Sequence, residues 1–174
     1  MNTSHKRHRK YAFDIDAHRE PLIALLQAII AHPRRLKSQE FQRLVRQYPL
    51  AGGGFISRAN LIAAYRQYAG QYGLPDYSDE AMDKLRRKPM RTISGVTPVT
   101  VLTKPFPCPG ECIFCPNDVR MPKSYLADEP GAQRAEQNGF DPYLQTMTRL
   151  QTFHNLGHPT DKIEVIILGG TWSF

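Results

Sequence analysis

All three cysteines of this 174-residue chain, Cys108, Cys112 and Cys115, fall in one C-x3-C-x2-C run inside the stretch from Lys104 to Pro116. Pro105, Pro107, Pro109 and Gly110 keep the backbone out of helix and sheet until the last thiol is placed. Such a loop can bring three sulfurs onto one face of a small object, which points to a metal centre. Structural zinc takes four protein ligands, usually as two cysteine pairs or as cysteines with histidines. A single C-x2-C pair is present, and the candidates for a fourth ligand are His154 and His158, the nearer lying 39 positions beyond Cys115. A [4Fe-4S] cluster normally takes four cysteines. Three leave one iron without a protein ligand, and an open position on a metal invites an outside ligand. Ligand count and spacing favour the iron–sulfur cluster over zinc. Three small buried thiols come last, because a proline-rich loop makes a poor core element.

The elements that must hold this loop are legible on either side of it. Upstream, Val96, Val99, Val101 and Leu102, with Thr97, Thr100 and Thr103, are apolar or β-branched and read as a strand that runs straight into the cysteines. Downstream, Glu129 to Gln137 reads as a helical turn. Asp141-Pro142 opens a longer helix with Leu144, Met147, Leu150 and Phe153 facing inward, closed by Gly157. Residues 163–168 read as a buried strand ending in Gly169-Gly170-Thr171. Strand, loop, helix and strand make a βα unit of the kind that builds a parallel barrel, in which chemistry gathers at the C-terminal strand ends. Both the cysteine loop and Gly169-Gly170 follow strand ends, so the two are expected to meet at one mouth.

Before Pro89 the apolar period is helical. Leu22, Leu25, Leu26, Ile29 and Ile30 mark a first helix from Glu20 to Ala31, stopped by Pro33. Phe41, Leu44, Val45 and Tyr48 mark a second that opens at Ser38. Leu61, Ile62, Tyr65 and Tyr68 mark a third from about Ser57 to Gln71, and Ser78 caps a short fourth that uses Met82 and Leu85. Gly52-Gly53-Gly54 lacks the Lys-Ser or Lys-Thr of a phosphate loop and reads as a linker. The expected fold is α/β: a small N-terminal helical bundle over 13–88, preceded by a basic flexible arm at 1–12. The first βαβ portion of a barrel follows over 89–174.

Net charge is +7, unevenly placed. Residues 1–107 hold 18 Lys and Arg against 8 Asp and Glu, and residues 108–174 hold 5 against 8. A basic surplus upstream of the loop suggests a polyanionic partner, RNA or DNA, or else a solvated face. The candidate contacts are Lys6, Arg7, Arg9 and Lys10 in the arm, Arg34, Arg35 and Lys37 after the first helix, and Arg86, Arg87, Lys88 and Arg91 at the bundle's exit. No apolar run is long enough to span a bilayer, so no membrane partner is expected. An odd number of cysteines in a ligand spacing suits a reducing, cytoplasmic location.

The cysteine spacing, with Phe114 as the aromatic before the last thiol, resembles the motif of radical S-adenosylmethionine enzymes. That resemblance implies that Cys108, Cys112 and Cys115 each bind one iron of a [4Fe-4S] cluster, while S-adenosylmethionine chelates the fourth. Phe114 would lie beside the adenine. Gly169, Gly170 and Thr171 would meet the cofactor's ammonium, with Thr171 in place of the motif's Glu. Reduction of the sulfonium would supply a deoxyadenosyl radical, chemistry that belongs to the cofactor.

A closer resemblance runs through Arg91-Thr92-Ile93-Ser94-Gly95-Val96, Leu102-Thr103-Lys104-Pro105, Cys108 to Pro116, Lys123-Ser124-Tyr125 and Glu129-Pro130. It continues through Asp141-Pro142-Tyr143, Leu156-Gly157-His158, Asp161-Lys162 and Leu168-Gly169-Gly170-Thr171. These segments resemble the catalytic subunit of Elongator and its bacterial and archaeal counterparts. The resemblance implies carboxymethylation of tRNA wobble uridine at carbon 5, with acetyl-CoA as co-substrate and the anticodon stem-loop as partner. It also raises Elongator-like partner subunits. Residues 13–88 would bind tRNA, and 89–174 would begin a radical S-adenosylmethionine barrel. Because the chain closes at Phe174, just after the second strand, the expectation is a truncated member, inactive alone, with the acetyl-CoA site in a further C-terminal domain. Two other readings stand beside it: a zinc-stabilised nucleic-acid-binding module, and the lysine or histone acetyltransferase activity ascribed to that family. The Gln/Arg-x-x-Gly-x-Gly/Ala loop that holds the coenzyme's pyrophosphate does not occur in the chain.

Overall fold

A computed structural model describes residues 13–110, 112–116 and 118–170. They fall into two units, one running to Pro89 and taking in Asn155–Gly157, the other comprising Met90–His154 and the chain from His158 on. Among the described residues no helix is long and apolar enough to cross a membrane.

In the first unit, leucines three and four apart share one side of a helix. Accordingly α1 (Arg19–Ala31) buries Leu22, Leu25, Leu26 and Ile29. It stops where a proline forbids continuation: His32, the residue before Pro33, is already extended, with ψ 133°. In α2 (Ser38–Val45), Phe41 and Val45 are buried, and Glu40 reaches back to accept the Lys37 N–H at 2.7 Å. Ser57 caps α3 (Arg58–Tyr68) by accepting the Asn60 N–H, and Ser78 caps α4 (Asp79–Leu85) by accepting that of Ala81. The Tyr65 hydroxyl donates to the Asp76 carbonyl at 2.8 Å and accepts the Ser78 N–H at 3.2 Å, tying the turn before α4 to the core. The buried faces of all four helices join Leu36, Ile56 and Leu74 in one apolar cluster. Gly157 belongs to this unit with φ at +78°, and a Cβ there would stand 2.8 Å from the Met82 sulfur. Glycine is required on both counts.

The second unit holds a two-stranded parallel sheet, β1 (Thr97–Leu102) and β2 (Ile163–Leu168), in step from Thr97 opposite Ile163 to Leu102 opposite Leu168. Between the strands lie α5 (Pro130–Gln137) and α6 (Pro142–Asn155). Parallel neighbours need such a crossover. Leu102, Met121, Ala132 and Ala135 form the buried cluster, with Tyr125, Phe140 and Leu168 against it. Thr97 donates its N–H to the Lys162 carbonyl just before β2 and Thr103 to that of Leu168, so the alternate residues Pro98, Thr100 and Leu102 face the other way. Pro98, which has no N–H to give, therefore costs the ladder nothing.

Two expectations fail. Residues 163–168 form a strand, but not a buried one: Val165, Ile166 and Ile167 are 51%, 38% and 52% exposed. A continuous apolar run has the composition of a parallel strand covered on both faces. Composition cannot supply the cover, and among the described residues β1 is the strand that pairs with β2. In α6, Leu144 and Met147 are exposed, whereas Gln145 and Phe153 are the buried residues. The stripe is rotated because the helix turns a polar side chain toward the sheet edge.

Candidate functional site

A cavity of about 530 Å³ opens at the C-terminal ends of both strands. Leu102, Thr103, Lys104, Phe106 and Cys108 line it from the β1 side, and Ile167, Gly169 and Gly170 from the β2 side; Lys123 and Phe140 contribute from the connection. The cysteine loop and the Gly-Gly pair thus share one mouth. The glycines are there for packing as much as for any ligand. A Cβ on Gly169 would overlap the Thr103 side chain, and one on Gly170 would sit 3.1 Å from the Lys123 Cβ. Thr171 lies outside the described residues.

The cysteines are free thiols, Cys112 exposed and the other two half-buried. Gly110 separates the first pair: the place its Cβ would take is 3.6 Å from both the Cys108 and the Cys112 sulfur. Its N–H also donates to the Cys108 sulfur at 3.4 Å. A turn closed by Cys115 N–H to Cys112 O at 3.1 Å carries the third thiol. That sulfur lies 3.9 Å from the hydroxyl of Ser124, a residue held at a positive φ of 76°. Phe114 is 91% exposed. Among the described residues, no three His, Cys, Asp or Glu side chains close around a single point. His158, a candidate fourth ligand for zinc, is buried in a structural role instead, its Nδ1 3.0 Å from the Thr92 hydroxyl and its ring edge-on to Phe153. His154 is exposed. Three soft thiol donors on one loop, two of them flanking the side-chain-free Gly110, are of the chemical type that thiolate-liganded metal groups take.

The basic candidates divide into three sets. Lys6, Arg7, Arg9 and Lys10, with the whole arm, lie outside the described residues. Several others are engaged within the protein. Arg34 forms a two-pronged pair with Glu40, at 2.9 and 2.7 Å. Arg35 donates to the carbonyls of Arg86 and Arg87 beyond the end of α4. Arg86 pairs with Asp83 and Asp79 and donates to the Gly157 carbonyl. Lys37, Arg87, Lys88 and Arg91 are exposed.

Sequence reasoning missed Arg58, which stacks 3.5 Å from the Phe41 ring centre and donates to Leu85 O at 2.7 Å. Burial, and then the charges of Arg35 and Arg87, push its guanidinium down to about 10. Those three arginines gather near the C-terminal end of α4, where cations complement the helix dipole. In the second unit Arg134 and Arg91 both stand near Arg149. Burial, followed by those two charges, lowers the Arg149 pKa.

The Arg34 pair yields a pH prediction. Hydrogen bonding to Arg34, reinforced by the Lys37 N–H, holds the Glu40 carboxyl down to about 2. A carboxylate depressed on folding adds stability above its unfolded pKa and loses it as pH falls through the folded one. Thermal midpoints of the wild type should therefore fall more between pH 5 and pH 2 than those of Glu40→Gln, a difference too small to resolve at neutral pH for so exposed a pair. Parallel curves for the two proteins would refute the coupling.

Gln145 is the second omission. Its carboxamide accepts the Leu102 N–H and donates to the Leu102 carbonyl, both at 2.9 Å, with every partner buried. It does for the outer edge of β1 what a neighbouring strand would do. The last strand residue before the cysteine loop is thereby fixed on both sides.

No family model matches the chain. The chain is 51% identical over 86 residues to a protein of Dehalococcoides mccartyi (strain CBDB1) named tRNA uridine(34) acetyltransferase, covering 49% of the chain and 19% of that protein. A protein of the same name from Methanocaldococcus jannaschii is 47% identical over 108 residues, 59% of the chain and 20% of the relative. Elongator complex protein 3 of Homo sapiens is 39% identical over 109 residues, 56% of the chain and 20% of that protein. The chain therefore spans about a fifth of the length of the curated relatives it matches. Across the stretch that aligns, it is similar to proteins named tRNA uridine(34) acetyltransferase and Elongator complex protein 3.

Proposed function

We propose that this chain carries the cluster-binding opening of a radical S-adenosylmethionine enzyme that modifies the wobble uridine of tRNA at carbon 5. One observation supports this above the others: Cys108, Gly169 and Gly170 line a single cavity at the C-terminal ends of two parallel strands. Relatives at 39–52% identity are named for tRNA uridine(34) or for Elongator. We read residues 89–174 as the start of the barrel, residues 13–88 as the tRNA-binding region, and acetyl-CoA as a co-substrate held by a further domain.

Cys108, Cys112 and Cys115 would hold a [4Fe-4S] cluster that, with S-adenosylmethionine bound, supplies the one-electron chemistry for attack on carbon. The chain's own contribution is placement. Gln145 fixes the end of β1, so the loop that follows starts from a defined position. Gly169 lets the two strand ends close on each other, and Phe106 and Phe140 give the cavity aromatic surface. Exposed Lys37, Arg87 and Lys88 remain available for phosphate contacts, which supply most of the affinity for nucleic acid.

Anaerobic reconstitution with iron and sulfide tests the assignment. The expected product holds about four irons and four sulfides per chain. Stoichiometric zinc without iron would replace this reading with that of a zinc-stabilised nucleic-acid-binding module.

A further inference from the structure

The cavity has an unusual charge balance. Two lysines, Lys104 and Lys123, line it, and no Asp or Glu stands among the described residues of its wall. Neither lysine takes part in an ion pair among the described residues, where the pairs are Arg34 with Glu40, Arg86 with Asp79 and Asp83, and Arg120 with Asp118. Apart from Thr103 and Cys108, the rest of the wall is apolar or aromatic, including Phe106, Phe140 and Ile167. Ammonium groups bordering an apolar, partly enclosed space attract an anion more strongly than they would in open water. The two positions are also built. Lys104 follows the strand end that Gln145 holds, and the Lys123 Cβ lies 3.1 Å from where a side chain on Gly170 would begin. The volume of about 530 Å³ suits one small molecule of nucleoside size.

We propose that Lys104 and Lys123 are the anion-recognising pair of this cavity, which takes a small ligand with a flat aromatic body and one carboxylate or phosphate group. The inference rests on the functional reading above, and it names residues that the cysteine motif and the Gly-Gly pair do not. Two sources can present this chemistry: the carboxylate of S-adenosylmethionine, or the phosphate of a nucleotide.

The test uses two ligand pairs that differ in the anionic group, S-adenosylmethionine against its decarboxylated form and uridine 5′-monophosphate against uridine. Affinities are measured by calorimetry on the whole chain before any cluster is reconstituted, so that no iron can hold the carboxylate, for the wild type and Lys104→Gln, Lys123→Gln, Lys123→Arg and Lys162→Gln. In the wild type, one anionic member should bind about tenfold or more tightly than its neutral partner, a usual discrimination for a charge-assisted contact. That advantage should shrink below about threefold in either Gln variant, return in Lys123→Arg, and be unchanged in Lys162→Gln, whose exposed lysine does not line the cavity. A preference confined to the adenosyl pair assigns the anion to the cofactor, and one confined to the uridine pair assigns it to the nucleotide.

Equal binding of both adenosyl compounds by all proteins, with no preference in the uridine pair, overturns the lysine proposal and leaves the cofactor reading standing. A lysine-dependent preference for the uridine phosphate, with neither adenosyl compound bound, does the reverse. An anion preference that survives both Gln substitutions also overturns the proposal.

Discussion

Cys115→Ala is expected to abolish the [4Fe-4S] cluster, taking iron and sulfide after reconstitution from about four each per chain to a small residue. Cys108→Ala and Cys112→Ala should do the same, because the chain has no fourth cysteine to take over. The loss should be chemical and not a failure to fold. None of the three sulfurs belongs to either apolar cluster, and Cys112 is exposed. Far-ultraviolet circular dichroism of the three variants should therefore match the wild type while the visible absorption of the cluster disappears. Full iron content in any one variant would show that its thiol is not a ligand.

Gln145→Leu should be the most damaging single change in the second unit. The two side chains are close in volume, so the cavity left behind is small, yet both hydrogen bonds to Leu102 vanish. Its N–H and carbonyl would then be buried without partners, Leu102 being 2% exposed. Each orphaned group costs roughly 1–3 kcal/mol, so together they should cost on the order of 2–6 kcal/mol. Hydrogen exchange resolved over residues 97–103 is the suitable readout, because a chain with two units need not unfold in one step. Exchange there should accelerate about 30-fold or more, the factor that corresponds to about 2 kcal/mol. Gln145→Glu keeps the acceptor and loses the donor, and should fall between. Unchanged protection in Gln145→Leu would mean that the strand edge does not depend on this carboxamide. The change should also weaken cluster assembly, since the first cysteine lies six residues beyond Leu102.

Much of the arrangement could be read from residue spacing. Helical periodicity located α1 to α4 because each buries a stripe of large apolar residues, and serines at positions 57 and 78 marked two of the starts. The strand before the cysteines and the strand before Gly169 were visible as β-branched runs, and their shared mouth followed from parallel topology. The failures have a common cause. Gln145 and Arg58 act through hydrogen bonds and ring stacking, and neither carries a hydrophobic signal, so period counting passed over both. The same blindness put Leu144 and Met147 inward on α6, although the helix is oriented by its glutamine. The exposure of β2 is a different matter. An apolar run reports what a strand can bury, whereas burial depends on what lies against it. For the basic residues, sequence shows charge but not engagement: Arg35 and Arg86 turned out to be held by carbonyls and carboxylates at the end of α4. Arg87 and Lys88, immediately after, are exposed.

The central claim is that three thiolates leave one iron of the cluster open to S-adenosylmethionine. Electron paramagnetic resonance of the reduced, reconstituted protein tests it most directly, recorded before and after that compound is added. A cluster with an open iron should show a changed spectrum on addition, and 5′-methylthioadenosine, which lacks the amino acid part, should leave it as it was. A spectrum indifferent to S-adenosylmethionine at saturating concentration, or a protein that takes up zinc and no cluster, would contradict the account.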